Sequence, residues 1–194
     1  MLSLMLAAAA LSASAMKVKL KQGSLKDLKG VTEFNVRYDY SNMTVTTKDL
    51  NEAEFVKDKT ADLNEKERGK GDTWAKAWIS DRQSRFEPQY KEEFEKQSDL
   101  KLVSNPSAKY TMVVHTIHTE TGYNIGISSR PAYIDAEISI VETANPSNVL
   151  AVITVDNSPG RMAFGMDFDT GERLKEAYAK AGKEVGKLVS KKMD

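Results

Sequence analysis

The sequence predicts an α+β fold. It reads as a single domain with a mostly antiparallel sheet of about four to six strands, helices packed on one face, and the order strand, helices, strands, helix. Three observations carry that expectation. Apolar and polar residues alternate with a period of two over Val31–Tyr40 and again over three stretches after Asn105-Pro106. A charge-rich block with helical spacing separates these two regions. Residues 170–192 then carry Leu174, Ala177, Tyr178, Ala181, Val185, Leu188 and Val189 as one apolar stripe, with lysines opposite.

Each element follows from its own pattern. Met16, Val18 and Leu20 alternate with Lys17, Lys19 and Lys21 as a first strand, and Gly23 and Gly30 bracket a polar connector. Phe34, Val36, Tyr38 and Tyr40 share one strand face, while Glu33, Asn35, Arg37 and Asp39 share the other, which implies one buried and one wet side. Residues 50–68 read as a helix with a thin stripe of Leu50, Phe55, Val56 and Leu63, broken by Gly69 and Gly71. Asp72 is the expected N-cap of a second helix carrying Trp74, Trp78, Phe86, Tyr90 and Phe94. Their spacing favours core packing over a carbohydrate platform. Pro88 lacks an N–H and clashes one turn back, so it belongs in the first turn of a new helix over 87–97. Ala108–His118, Pro131–Glu142 and Asn148–Asp156 read as three strands, the last two joined by a hairpin at 143–147. Asp169 with Glu172 forms a variant capping box for the final helix, and Gly182 with Gly186 is expected to allow close approach to the sheet.

Composition removes several functions. The chain has 194 residues, 28 Lys and Arg against 28 Asp and Glu, and no Cys. Without thiols there is no disulfide scaffold, cysteine nucleophile or thiolate metal site. A balanced charge lacks the basic field that nucleic acid requires. The local run Lys17, Lys19, Lys21, Lys26 and Lys29 reads as a solvated strand face rather than a site for acidic lipid headgroups.

Residues 1–15 carry no charge. Leu4–Leu11 has the length of a signal-peptide apolar core, and Ala13-Ser14-Ala15 is a small-x-small cleavage pattern. The run is short of the ~20 apolar residues a transmembrane helix needs. The expectation is a signal peptide over 1–15, cleavage near Ala15, and a periplasmic or secreted domain over 16–194. No transmembrane segment is expected in the mature chain, and no lipid anchor, since no Cys follows the apolar run.

No catalytic signature emerges. His115 and His118 are three apart in a strand, which places them on opposite faces unless a bulge intervenes. A calcium loop starting at Asp167 would need Gly where Glu172 stands and Glu where Tyr178 stands. No nucleophile elbow, phosphate loop or dinucleotide fingerprint is present. No catalytic residue, metal or cofactor is therefore assigned. Geometry points elsewhere. If the three later strands form a meander, the loops 119–130 and 157–169 leave the same end of the sheet. The first carries Glu120, Tyr123, Asn124 and Arg130, and the second Arg161, Phe164 and Asp167. Long loops are a common home for binding sites, so these seven residues are the candidate ligand- or partner-binding set. Met162, Phe164, Met166 and Phe168 also alternate, which leaves open a further short strand instead.

Tyr38-Asp39-Tyr40, Lys109-Tyr110-Thr111, Gly122-Tyr123-Asn124-Ile125-Gly126, Arg130-Pro131-Ala132 and the run Gly171–Tyr178 together resemble a family of small secreted bacterial envelope proteins of unassigned function. The element order is also similar to the amino-terminal domain of TolB and to transport auxiliary lipoproteins, a likeness of topology alone. The preferred reading is a non-enzymatic envelope protein, periplasmic or secreted, that binds a protein partner or an envelope component through the loop-bearing end. An envelope hydrolase and a small-ligand carrier are the alternatives.

Overall fold

Strands and helices form where the two periodicities place them, and the departures have local causes. The computed structural model describes residues 15–124, 127–162 and 169–193. The apolar run before Ala15 lies outside these, as do Phe164, Met166, Asp167 and Phe168. In chain order the elements are β1 (Lys17–Gly23), β2 (Glu33–Asp39), β3 (Thr44–Val45), β4 (Leu50–Asn51), α1 (Glu52–Lys66), α2 (Lys70–Asp81) and α3 (Glu87–Ser98). Then come β5 (Lys101–Val103), β6 (Tyr110–Glu120), β7 (Tyr123–Asn124), β8 (Ser129–Arg130), β9 (Tyr133–Glu142), β10 (Asn145–Pro159) and α4 (Thr170–Met193).

The main sheet runs β1-β10-β9-β6-β2-β5, with the β3–β4 hairpin attached to β6. The β1, β10, β9 and β6 block is antiparallel throughout, as the alternation predicts. β2 is parallel to both β5 and β6. The chain crosses three helices between β2 and β5, and parallel neighbours need a crossover of that kind. The helices cover one face. Phe34, Met112, Val114, Ile134, Ile138, Ile140 and Ile153 point from the sheet into the same core as Tyr90 and Phe94 of α3 and Tyr178 and Val185 of α4. Each such apolar side chain contributes about 1.5–3 kcal/mol relative to an exposed one.

Three local expectations are corrected, and that for Pro88 is borne out with one addition. Asp72 is not an N-cap: α2 opens at Lys70 after Gly69, whose φ is 82°. The Gly71 N–H is instead satisfied by Asn64 Oδ1 of α1 at 2.8 Å, and the Asp72 carboxylate accepts from Asn64 Nδ2 at 3.2 Å. Pro88 does stand in the first turn of α3, but the helix is continued rather than restarted. Residues 82–86 form a π turn in which the Glu87 N–H donates to the Arg82 carbonyl, so the ladder is already reset when the proline arrives. β10 begins at Asn145 because the hairpin turn is only Thr143-Ala144, and Pro146 falls in a stretch of irregular register between Asn145 and Val149. Gly182 and Gly186 approach α3 rather than the sheet: a Cβ would stand 2.2 Å from the Tyr90 carbonyl oxygen and 2.7 Å from that of Phe94.

Candidate functional site

The meander brings the two long loops to one end. Tyr133, the first residue of β9, pairs with Glu120 at the end of β6 and with Pro159 at the end of β10. The loop after β6 folds into a two-stranded ribbon, with Tyr123 opposite Arg130 and Asn124 opposite Ser129. The second loop joins its base. The Gly160 N–H donates to the Ala132 carbonyl at 2.7 Å, and the Ala132 N–H donates to the Arg161 carbonyl at 3.4 Å.

The seven sequence-predicted residues divide by environment. Glu120 is only 3% exposed. Its carboxylate accepts the backbone N–H groups of Thr47 at 3.2 Å and Gly122 at 3.0 Å, and Arg130 Nη1 lies 3.8 Å away. Two N–H donors and a guanidinium give a buried carboxylate the partners it requires, so Glu120 clamps the ribbon base. Gly122 has a φ of 70° and a Cβ there would meet the Ala132 nitrogen at 2.7 Å, so only glycine fits this turn. Tyr123 is 40% exposed and bonds Ser128 at 3.1 Å. Asn124 and Arg161 are exposed. Phe164 and Asp167 lie outside the described residues.

Sequence reasoning missed the β3–β4 hairpin. It extends the sheet beside β6, with Thr44 opposite His118 and Val45 opposite Thr119. The Thr46 N–H donates to the Thr119 carbonyl at 2.9 Å. Its turn depends on positive φ at Thr46 and Asp49, which the residue types do not advertise. Arg173 was also missed. It is buried at the start of α4 and donates from Nε to the Thr121 carbonyl at 3.1 Å and from Nη2 to Thr170 Oγ1 at 3.2 Å. A buried arginine tied to a loop carbonyl holds the ribbon base to the helix.

The histidines require a further correction. The register of β6 shifts between Thr116 and His118, so His115 stands opposite Glu137 and His118 opposite Asp135. Positions two apart on β9 share a face, so the bulge returns both imidazoles to the same side of the sheet. They still do not converge. His115 Nε2 is 2.9 Å from the Ser41 carbonyl oxygen, whereas His118 Nδ1 is 2.8 Å from Thr44 Oγ1 and 3.3 Å from Asp49 Oδ1. No group of three or more metal-ligating side chains is found among the described residues.

A cleft of about 370 Å³ lies beside the start of α4, lined in part by Trp74, Trp78, Asp81, Arg85 and Asp169. Arg85 spans it, 3.0 Å from Asp81, 2.8 Å from Asp169 and 3.6 Å from Glu172. Burial pushes the Asp81 carboxyl above its ordinary range, against the pull of Arg85. Burial also acts on Asp169, but there the Arg85 hydrogen bond and the Glu172 N–H win and hold it below. The Glu172 N–H bond to Asp169 Oδ1 at 3.1 Å is the forward half of the expected capping box. The Glu172 carboxylate turns to Arg85 and Lys175 instead of completing it. The aromatic stripe is largely core, since Trp78, Phe86, Tyr90 and Phe94 are buried and Trp74 is half-buried.

Comparison with known proteins gives distant likenesses to solved structures. No family model matches the chain, and no curated protein matches it. Among solved structures it is similar to the PelC dodecamer from Paraburkholderia phytofirmans, at 9% identity and a TM-score of 0.38, covering 86% of this chain and 97% of that one. A second PelC structure, of a point variant, gives 9% identity and a TM-score of 0.40 over 91% and 98% of the two chains. Protein XCC0632 from Xanthomonas campestris, of family DUF330, gives 10% identity and a TM-score of 0.37 over 81% and 85%. Neither protein is the TolB domain.

Proposed function

We propose that this chain is a non-enzymatic protein of the bacterial envelope, exported by its apolar leader, which binds a protein partner or an envelope component through the ribbon end of the sheet. The observation that carries the reading is Ile127. It sits in the turn of the ribbon and is 97% exposed, on a base clamped by buried Glu120. Tyr123 stands exposed in the same ribbon. It is the pairing of the two, an apolar and an aromatic side chain held out on one anchored hairpin, that suits contact with another molecule.

The test has two parts. Fractionation with intact-mass measurement is expected to find a periplasmic or secreted chain starting at Met16. A full-length cytoplasmic chain would remove the envelope reading. Crosslinking from a photoreactive residue at position 127 is expected to trap one defined envelope component, with the adduct lost when Arg161→Ala is added. Adducts spread over unrelated proteins, or unchanged by the second substitution, would count against this surface.

The hydrolase alternative draws on the cleft beside Arg85, where one carboxyl, Asp81, is shifted above its ordinary range and the other, Asp169, below it. Both are engaged by the same guanidinium, which suits an ion-pair clamp between α2 and α4 better than an acid and a base. The carrier alternative fares less well, because Tyr90, Phe94 and Tyr178 fill the space between sheet and helices.

A further inference from the structure

The geometry points to a second docking site, at the edge of the sheet formed by β1, whose occupant is an acidic, extended peptide segment added as a further strand. Among the described residues β1 pairs only with β10. One side of this seven-residue strand therefore presents its peptide N–H and C=O groups with no ladder partner among the described residues. Such an edge is a template for strand addition.

Charge selects the occupant. On the helix side a groove of about 550 Å³ runs along this edge, with Met16, Val18 and Leu188 as apolar floor and Lys180, Lys183, Lys187 and Lys191 around it. Its one carboxylate, Glu184, is taken by Lys187 at 2.7 Å, and Lys180 pairs with Glu176 at 3.4 Å. Lys183 and Lys191 have no ion-pair partner among the described residues. On the opposite face Lys21 reaches Glu137 at 3.2 Å, while Lys17 and Lys19 are exposed and have no ion-pair partner among the described residues. A strand laid beside β1 alternates its side chains between the two faces, and lysines await it on both. Carboxylates on either face would find a cation, and an apolar residue on the helix side would find the floor. A second copy fits badly, because pairing β1 with β1 sets lysine against lysine. The same lysines keep the edge from pairing with itself and admit a partner of opposite charge.

The probe is an acetylated, amidated peptide of about eight residues alternating Glu and Val, long enough to span the strand. Binding is read by fluorescence anisotropy and by hydrogen exchange of the full chain. Three controls accompany it: a Lys and Val peptide, the Glu and Val peptide N-methylated at every second residue, and phosphatidylglycerol vesicles. The Glu and Val peptide is expected to bind, to weaken with salt, and to slow exchange of β1 amides. Lys183→Gln and Lys191→Gln, both at exposed stems, should each weaken it by about threefold, the scale of an exposed ion pair. The N-methylated peptide keeps the charge and loses the ladder, so it should fail to bind. Equal binding of the N-methylated or Lys peptide, unchanged exchange in β1, or binding of vesicles in place of the peptide would overturn the proposal.

Discussion

A methyl group on Gly182 would stand 2.2 Å from the Tyr90 carbonyl oxygen and 3.0 Å from its Cα, both backbone atoms that cannot swing aside. Alanine ordinarily favours a helix over glycine by about 1 kcal/mol. Here the overpacking cost of about 1–3 kcal/mol opposes and exceeds it. Gly182→Ala is therefore expected to lower the urea midpoint; a midpoint that rises or stays fixed would show that α3 and α4 can part. Arg85 supplies a prediction in pH. The Asp169 carboxyl is held below its ordinary range in the fold, so its contribution is present above that range and lost as pH falls through the folded value. Asp81 is raised, so its ionisation costs stability near neutrality and its protonation recovers it as pH falls. Arg85→Gln removes the counter-charge from both. The pair is partly exposed, so the loss is about 1 kcal/mol at neutral pH, and both carboxyls make it shrink in acid. Equilibrium unfolding of the two proteins across pH checks this, and a gap independent of pH would contradict it.

Among the elements, the β6 bulge does most to shape the candidate site. Without it strict alternation would turn both His118 and Glu120 toward the helices. With it, Thr116 still bonds Tyr178 in the core at 2.8 Å while Glu120 reaches Thr47 and Gly122. The extra residue is Ile117, which is exposed. Deleting Ile117 removes the extra residue and leaves residues 118–120 opposite Asp135, Ile134 and Tyr133, on their present faces. The loss is expected to stay near about 1 kcal/mol, since only the local twist of the strand is reset. Ile117→Ser keeps the bulge and should stay within about 0.5 kcal/mol. Chemical denaturation checks both, and a loss of several kcal/mol on deletion would mean that the bulge itself, and not the pairing with β9, holds residues 118–120 in place. The bulge also marks a limit of reading pattern alone. β9 was legible because every second residue from Ala132 to Ile140 is apolar and buried. β6 is central, buried on both faces over most of its length, and its near-continuous run conceals the slip. The β3–β4 hairpin was hidden for another reason: two-residue strands carry too little alternation to register, and its turn depends on backbone angles that Thr46 and Asp49 adopt only in place.

At the scale of the molecule, the order of elements and the antiparallel half of the sheet were legible because each rests on local periodicity. The parallel placement of β2 between β5 and β6 was not, since it depends on where the helices deliver the chain. The ribbon's base was legible in part: Glu120 and Arg130 were singled out, but as ligand-binding residues, whereas Glu120 turns inward. This division makes the ribbon separable from the fold. Among the described residues β7 and β8 form a sheet of their own and pair only with each other. Replacing residues 123–130 by a short glycine-containing turn from Gly122 to Pro131 leaves Glu120 its bonds from Thr47 and Gly122. It removes Tyr123, Ile127 and Arg130 together. The Arg130 pair is long at 3.8 Å, so its loss is small. Stability should therefore change by less than about 1 kcal/mol, as at other tolerant loop tips. Capture of the partner proposed for the ribbon end should vanish, while binding of the acidic peptide proposed at β1 should be untouched. Loss of both activities with intact folding would mean that the two surfaces serve a single extended partner. Retention of partner capture would move the site away from this end of the sheet.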